Sequence, residues 1–133
     1  MALSGKRVFI VEDNPTNLAI TITLLEQSGA QVYYDRWGIE TVTRILRHRP
    51  IDIILLDLMF PGGVSGFDVY EAVRQNPALQ DIPVIIVTAN SSDKAILRAR
   101  ELGVSGYIVK PLSKETFANS VARVVGGGEV WET

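Results

Sequence analysis

The chain has 133 residues, 47% of them hydrophobic, which suffices for one domain with a buried core and leaves no room for a second. Thirteen basic and fifteen acidic residues give a net charge of −2 without a basic stripe, and cysteine is absent, so direct nucleic-acid binding, disulfides, thiolate metal sites and thiol redox chemistry are not expected. No apolar segment before the first predicted strand has signal-peptide length and none approaches the ~20 residues of a membrane span, so we predict a cytoplasmic protein without membrane contact.

The first half of the chain predicts three strands separated by two helices. The first helix has clear boundaries, with Asn14 as its N-cap, Pro15 at its first position and Gly29 at its end. A second helical pattern stops at Pro50. The three strands are predicted at residues 8–11, 30–34 and 53–56.

The second half continues the same alternation. A glycine-rich loop at residues 60–66 leads into a third helix that ends before Pro77, and a fourth helix ends at Gly103. A fifth helix follows, and the glycines at 126–128 predict that residues 126–133 form a flexible tail. The fourth and fifth strands are predicted at residues 84–87 and 107–109.

The predicted strands are unbroken apolar runs, which is typical of strands covered by helices on both faces. Right-handed connections then favour an α/β fold with a doubly wound, five-stranded parallel sheet in the order 2-1-3-4-5, flavodoxin-like, with five helices. This order places the ends of strands one and three side by side, at the switch point where open parallel sheets bind their ligands.

A polar residue follows each of four apolar runs, so these residues are expected to meet at one edge of the sheet. Asp13 and Asp57 end neighbouring strands, roughly 5 Å apart in backbone spacing. Carboxylates this close repel each other, and a hard divalent cation such as Mg²⁺ relieves the repulsion. A free carboxylate oxygen can then attack phosphorus, with Thr88 and Lys110 placed to contact the phosphoryl oxygens.

Four sequence blocks resemble the conserved blocks of response regulator receiver domains from two-component signalling systems, in particular single-domain, chemotaxis-regulator-like members. They occur in the family's order and spacing, and the resemblance extends from about Lys6 to Val125. It implies a receiver domain over residues 1–125. The blocks are residues 11–14 (VEDN), 52–57 (DIILLD), 87–89 (VTA) and 110–111 (KP).

The resemblance implies a phosphorylation site at Asp57, which would accept a phosphoryl group from a sensor histidine kinase or a phosphotransfer protein. The reaction would depend on Mg²⁺, and self-phosphorylation and self-dephosphorylation would be the chain's only chemistry, so it is not expected to be an enzyme in the usual sense. The Mg²⁺ ligands would be the side chains of Glu12, Asp13 and Asp57 and the backbone carbonyl of Met59.

The same resemblance implies a switch. Thr88 and Lys110 would contact the phosphoryl group, Thr88 would move, and Tyr107 would turn inward on activation, changing the face formed by the fourth helix, fifth strand and fifth helix. The Lys110–Pro111 peptide bond would be cis. Because only about eight residues follow Val125, the output is expected to be a protein partner or self-association, unless the chain is part of a longer protein.

Three other functions share either the fold or the aspartyl nucleophile. A haloacid-dehalogenase-type hydrolase also has an aspartyl nucleophile but needs a carboxylate where this chain has Met59, and a flavin mononucleotide site would be repelled by Glu12 and Asp13. A phosphorylation-independent scaffold with the same fold stays open. The loop at residues 60–66 departs from the family pattern, because it is one residue longer and lacks an acidic residue.

Overall fold

The computed structural model describes all 133 residues and contains six strands and five α-helices. A short 3₁₀ turn at Pro61–Gly63 precedes the third helix. The strands are β1 (Arg7–Val11), β2 (Gln31–Asp35), β3 (Ile53–Leu56), β4 (Val84–Thr88), β5 (Gly106–Val109) and β6 (Val130–Glu132). The helices are α1 (Pro15–Glu26), α2 (Thr41–Arg47), α3 (Gly66–Gln75), α4 (Asp93–Leu102) and α5 (Phe117–Val125).

All six strands pair in parallel, in the order β2-β1-β3-β4-β5-β6. The predicted doubly wound α/β sheet and the order of its first five strands are therefore confirmed. The prediction of five strands is wrong, because Val130–Glu132 pairs with β5 as a sixth strand. No helix is long and apolar enough to cross a membrane.

The sheet has a hydrophobic core on each face. Alternate residues of every central strand point to opposite sides, as Phe9 and Ile10 do, and each large side chain buried in this way contributes roughly 1.5–3 kcal/mol. One face is covered by α2, α3 and α4, and the other by α1 and α5. This double coverage explains why the strands are apolar throughout.

Local hydrogen bonds fix where the helices begin. The side chain of Asn14 accepts from the Asn17 amide, as predicted for an N-cap. At α3, Ser65 and Asp68 form a capping box, in which the Ser65 hydroxyl accepts from backbone amides of the first turn and the Asp68 carboxylate accepts from the Ser65 amide at 3.3 Å. These caps fix the helices relative to the loops at the carboxyl ends of the strands, where the polar residues lie.

The sixth strand arises from contacts that lie far apart in the sequence. Val130 is buried in the core beside α5, and its carbonyl approaches β5 so closely that a Cβ on Gly106 would lie 2.5 Å from the carbonyl oxygen. Only glycine leaves room for β6 at this register. Within the segment predicted as a tail, residues 130–132 are consequently part of the sheet.

Candidate functional site

Asp57 directly follows β3 and is a buried residue, with 7% of its surface exposed. Its Oδ1 accepts hydrogen bonds from the backbone amides of Leu58, at 2.6 Å, and Met59, at 3.3 Å. The start of α3 packs against the same peptide, because a Cβ on Gly66 would lie 2.0 Å from the Asp57 carbonyl oxygen. The backbone therefore fixes the orientation of the carboxylate.

Lys110 joins two carboxylates that are distant in the sequence. Its Nζ donates to Asp57 Oδ2 at 3.0 Å and also to Glu12 Oε1. The Lys110–Pro111 peptide bond is cis, as the resemblance implied. The structure thus brings Glu12, Asp57 and Lys110 together at the carboxyl ends of β1, β3 and β5.

Thr88 and Tyr107 are connected through the loop after β4. The hydroxyl of the buried Thr88 accepts from the Asn90 amide at 3.3 Å. The Tyr107 hydroxyl donates to the Asn90 carbonyl at 2.5 Å, and the Tyr107 side chain is fully buried. The two predicted switch residues therefore share a contact with one loop, and the Tyr107 ring lies inward. Movement of Thr88 on phosphorylation stays a prediction.

Burial and the neighbouring charges shift the pKa values of Asp57, Glu12 and Lys110. Burial raises the pKa of Asp57, but the Lys110 charge and the hydrogen bonds from Thr88 and Lys110 outweigh it, so this pKa lies below its ordinary value. Burial raises the pKa of Glu12, and its bond with Lys110 offsets only part of that rise. Burial lowers the pKa of Lys110, but the two carboxylates of Glu12 and Asp57 raise it by more, so this pKa lies above its ordinary value. Asp57 is accordingly the carboxylate that this environment keeps ionised.

Whether a divalent cation suits the site follows from its donors and its charge. Carboxylate oxygens are the ligands that Mg²⁺ prefers, and the three carboxylates of Glu12, Asp13 and Asp57 with the single ammonium of Lys110 carry a summed charge of −2. The three acidic groups are not assembled as a metal-ligand cluster in the structure. The donor set fits a divalent cation, and coordination by all three requires side-chain movement.

The sequence did not indicate the role of Arg36. Its Nη2 donates to the Asp13 carbonyl at 3.1 Å, and its guanidinium lies 4.9 Å from the Trp37 ring centre. This contact ties the loop after β2 to the acidic loop after β1. The spacing of polar residues does not predict this contact, because Arg36 is not one of the polar residues that directly follow the four apolar runs.

The raised pKa of Glu12 predicts how the stability of the fold depends on pH. Because the folded-state pKa of Glu12 is raised, its contribution to stability is fully present below the unfolded pKa of ~4.3 and is lost as the pH rises through the folded value. Glu12→Gln stays neutral at every pH. We expect this variant to have a higher Tm than the wild type at pH 7 in metal-free buffer, with the difference shrinking towards pH 4.

Thermal unfolding in EDTA across this pH range measures the effect, and Glu26→Gln, at an exposed position in α1, is the matched control. A Glu12→Gln variant that is less stable than the wild type at pH 7 would contradict the conclusion that burial disfavours the ionised form of Glu12.

Comparison with known proteins finds relatives along nearly the whole chain. The sequence model of the family described as response regulator receiver domain matches residues 8–122. The polar-differentiation response regulator DivK of Brucella anthropi is 37% identical over 121 residues, which cover 91% of this chain and 97% of that protein.

Solved structures agree with this relationship. The chemotaxis protein CheY4 of Vibrio cholerae has a TM-score of 0.81 at 25% identity, covering 90% of this chain and 98% of that one. The receiver domain of the sensor histidine kinase PA1611 from Pseudomonas aeruginosa has a TM-score of 0.81 at 27% identity, covering 92% and 99%. That structure has a magnesium ion coordinated in the active-site cleft.

Proposed function

The chain belongs to the response regulator receiver domain family of two-component systems, and from this premise we propose that it is a phosphorylation-dependent signalling switch with Asp57 as its phosphoacceptor. The observation that carries the proposal is the contact of Lys110 Nζ with both Asp57 and Glu12. It places an ammonium beside an ionised carboxylate at the carboxyl ends of the parallel strands. In this proposal the protein works in the cytoplasm and receives its phosphoryl group from a sensor histidine kinase or a phosphotransfer protein.

The reaction needs a nucleophile and charge stabilisation. An oxygen of the Asp57 carboxylate attacks phosphorus, a phosphorus–oxygen bond forms, and the phosphorus–nitrogen bond of the donor's phosphohistidine breaks. The imidazole leaves with the electron pair and takes up a proton. Phosphoryl transfer depends mainly on positioning and on neutralising the charge of the equatorial oxygens, and the Lys110 ammonium and the Thr88 hydroxyl are the groups of this chain that do so.

We assign the divalent cation to the carboxylates of Glu12, Asp13 and Asp57 and the carbonyl of Met59. When bound, Mg²⁺ supplies positive charge at the transferring phosphoryl group. The magnesium ion in the cleft of the related Pseudomonas receiver domain supports this assignment. The chain's own part is to present oxygen donors, with Arg36 holding the Asp13 peptide in place.

The output surface of this chain has an additional element. The face predicted to carry the signal consists of α4, β5 and α5, but β6 covers the free edge of β5. We propose that a downstream protein, or a second copy of the chain, contacts a face made of α4, β6 and α5. In this view the phosphoryl group shifts the balance between two arrangements of that face.

Labelling with a small phosphodonor tests the proposal. We expect the wild-type protein to gain the mass of one phosphoryl group when it is incubated with phosphoramidate and Mg²⁺, as measured by intact-protein mass spectrometry. Removing the metal with EDTA is expected to suppress the gain. If no phosphoryl group is added while a known receiver domain is labelled in the same buffer, the scaffold function is favoured instead.

A further inference from the structure

Strand β6 is held by three neighbouring elements. Val130 pairs with Gly106 of β5 and is buried, and the Ser120 hydroxyl of α5 donates to Glu132 Oε2 at 2.8 Å. On the α4 side, the Arg100 guanidinium lies 3.9 Å from the centre of the Trp131 ring. A guanidinium over an aromatic ring is attracted to the negative face of that ring. The strand is therefore specifically docked and bridges α4, β5 and α5.

Trp131 lies beside Tyr107. The two residues are register partners in the parallel pair of β5 and β6, so their side chains lie on the same face of the sheet. Trp131 packs against the core cluster that contains Tyr107. Tyr107 is fully buried, and Trp131 occupies the neighbouring position on the same face at the edge of the sheet.

Tyr107 in turn contacts the loop of the phosphorylation site. Its hydroxyl donates to the Asn90 carbonyl, and the Asn90 amide donates to the hydroxyl of Thr88. Packing against the core cluster that contains Tyr107, together with these hydrogen bonds, thus connects Arg100 and Trp131 to Thr88. Displacement of β6 therefore removes part of the packing around Tyr107, which contacts the loop after β4.

We propose that β6 is a positioning element for the phosphorylation site, with Trp131 holding Tyr107 inward and Tyr107 holding the loop at Asn90. The inference rests on the proposed function. A reacting group held in place in advance reacts faster, so undocking of β6 slows phosphoryl transfer to Asp57. Docking of β6 also favours the binding of a phosphoryl mimic at the site, and because coupling between two binding equilibria is reciprocal, the bound mimic tightens the docking of β6.

A double-mutant cycle on the full chain tests whether Trp131 acts through Tyr107. We expect Trp131→Ala to slow labelling by phosphoramidate by about fivefold or more, within the ~10²-fold that misplacing a reacting group by 1 Å can cost. Tyr107→Phe, which lacks the hydroxyl, is expected to slow labelling as well. If Trp131 acts through Tyr107, the double variant is no slower than Tyr107→Phe alone. Trp131→Phe, which keeps an aromatic ring under Arg100, is expected to restore most of the rate.

Two further variants separate positioning from loss of fold. Arg100→Ala weakens the docking from the exposed side and is expected to slow labelling in the same direction. Tyr34→Ala removes an exposed aromatic side chain from β2, at the opposite edge of the sheet, and is expected to leave the rate unchanged. Thermal unfolding of each variant shows whether the domain is intact.

Amide hydrogen exchange measures the reciprocal effect. With beryllofluoride as the phosphoryl mimic, we expect slower exchange at the amides of residues 130–132 in the wild type, and no such change in Asp57→Asn. If the wild type is labelled but Trp131→Ala reacts at the wild-type rate, or if the two single effects multiply, the inference is overturned while the proposed function stands. Failure of the wild type itself to be labelled overturns the proposed function.

Discussion

Asp57→Asn is expected to abolish labelling by phosphoramidate under conditions in which the wild type gains one phosphoryl group. The amide keeps the size of the side chain and can accept from the Leu58 and Met59 amides, but it has no anionic oxygen to attack phosphorus. It also removes the negative charge that pairs with Lys110 at 3.0 Å. Intact-protein mass spectrometry over a time course measures the loss.

The matched control is Asp81→Asn, which makes the same chemical change at an exposed aspartate before β4. We expect it to be labelled at the wild-type rate. Full labelling of Asp57→Asn at a comparable rate would mean that the phosphoryl group goes to another residue and that the carboxylate after β3 is not the acceptor.

Lys110→Met is expected to lower the labelling rate by about 10²–10³-fold, the effect of removing one preorganised group that stabilises transition-state charge. Methionine has a similar length without the ammonium, so the charge on the transferring phosphoryl group loses one partner. The Lys110 charge also lowers the pKa of Asp57, so in the variant this pKa rises. The acidic limb of the rate–pH profile is therefore expected to move to higher pH.

Lys114→Met is the control for this variant, because Lys114 lies exposed on the same loop after β5. We expect its rate and its pH profile to match those of the wild type. Lys110→Met with an unchanged profile would contradict the role given to the ammonium, even if its absolute rate fell.

The fold and most of the site followed from local patterns. Apolar runs ending in polar residues predicted four of the strands and the edge at which Asp57 and Lys110 meet, because parallel strands bring their carboxyl ends to one side. The helix boundaries at Asn14 and Gly103 also followed from the chemistry of single residues, since one caps a helix start and the other is left-handed, at φ 79°.

The parts that the sequence did not predict depend on contacts between distant segments. Strand β6 has only three residues and follows a run of glycines, so its local pattern resembles a tail. What makes it a strand is the burial of Val130 and the space left by Gly106, and neither is visible in a local window. The contact of Arg36 with the Asp13 carbonyl was missed for the same reason.

The sequence also did not predict that Lys110 contacts two carboxylates. The order of the strands predicted that Lys110 would reach a phosphoryl group at Asp57, but not that its ammonium would contact Glu12 as well. That second contact results from the depth of Glu12, which is 4% exposed and bonded to the Asn14 amide at 3.3 Å. Burial of this kind depends on the packed structure and not on spacing along the chain.

Locating the phosphoryl group on the wild-type chain tests the central claim most directly. After labelling with phosphoramidate and Mg²⁺, borohydride reduces an aspartyl phosphate to homoserine, and peptide mass spectrometry locates the change. We predict homoserine at position 57 and at no other acidic residue. Modification at Glu12 or Asp13 instead, or a phosphoryl group on a side chain that borohydride leaves intact, would contradict the account.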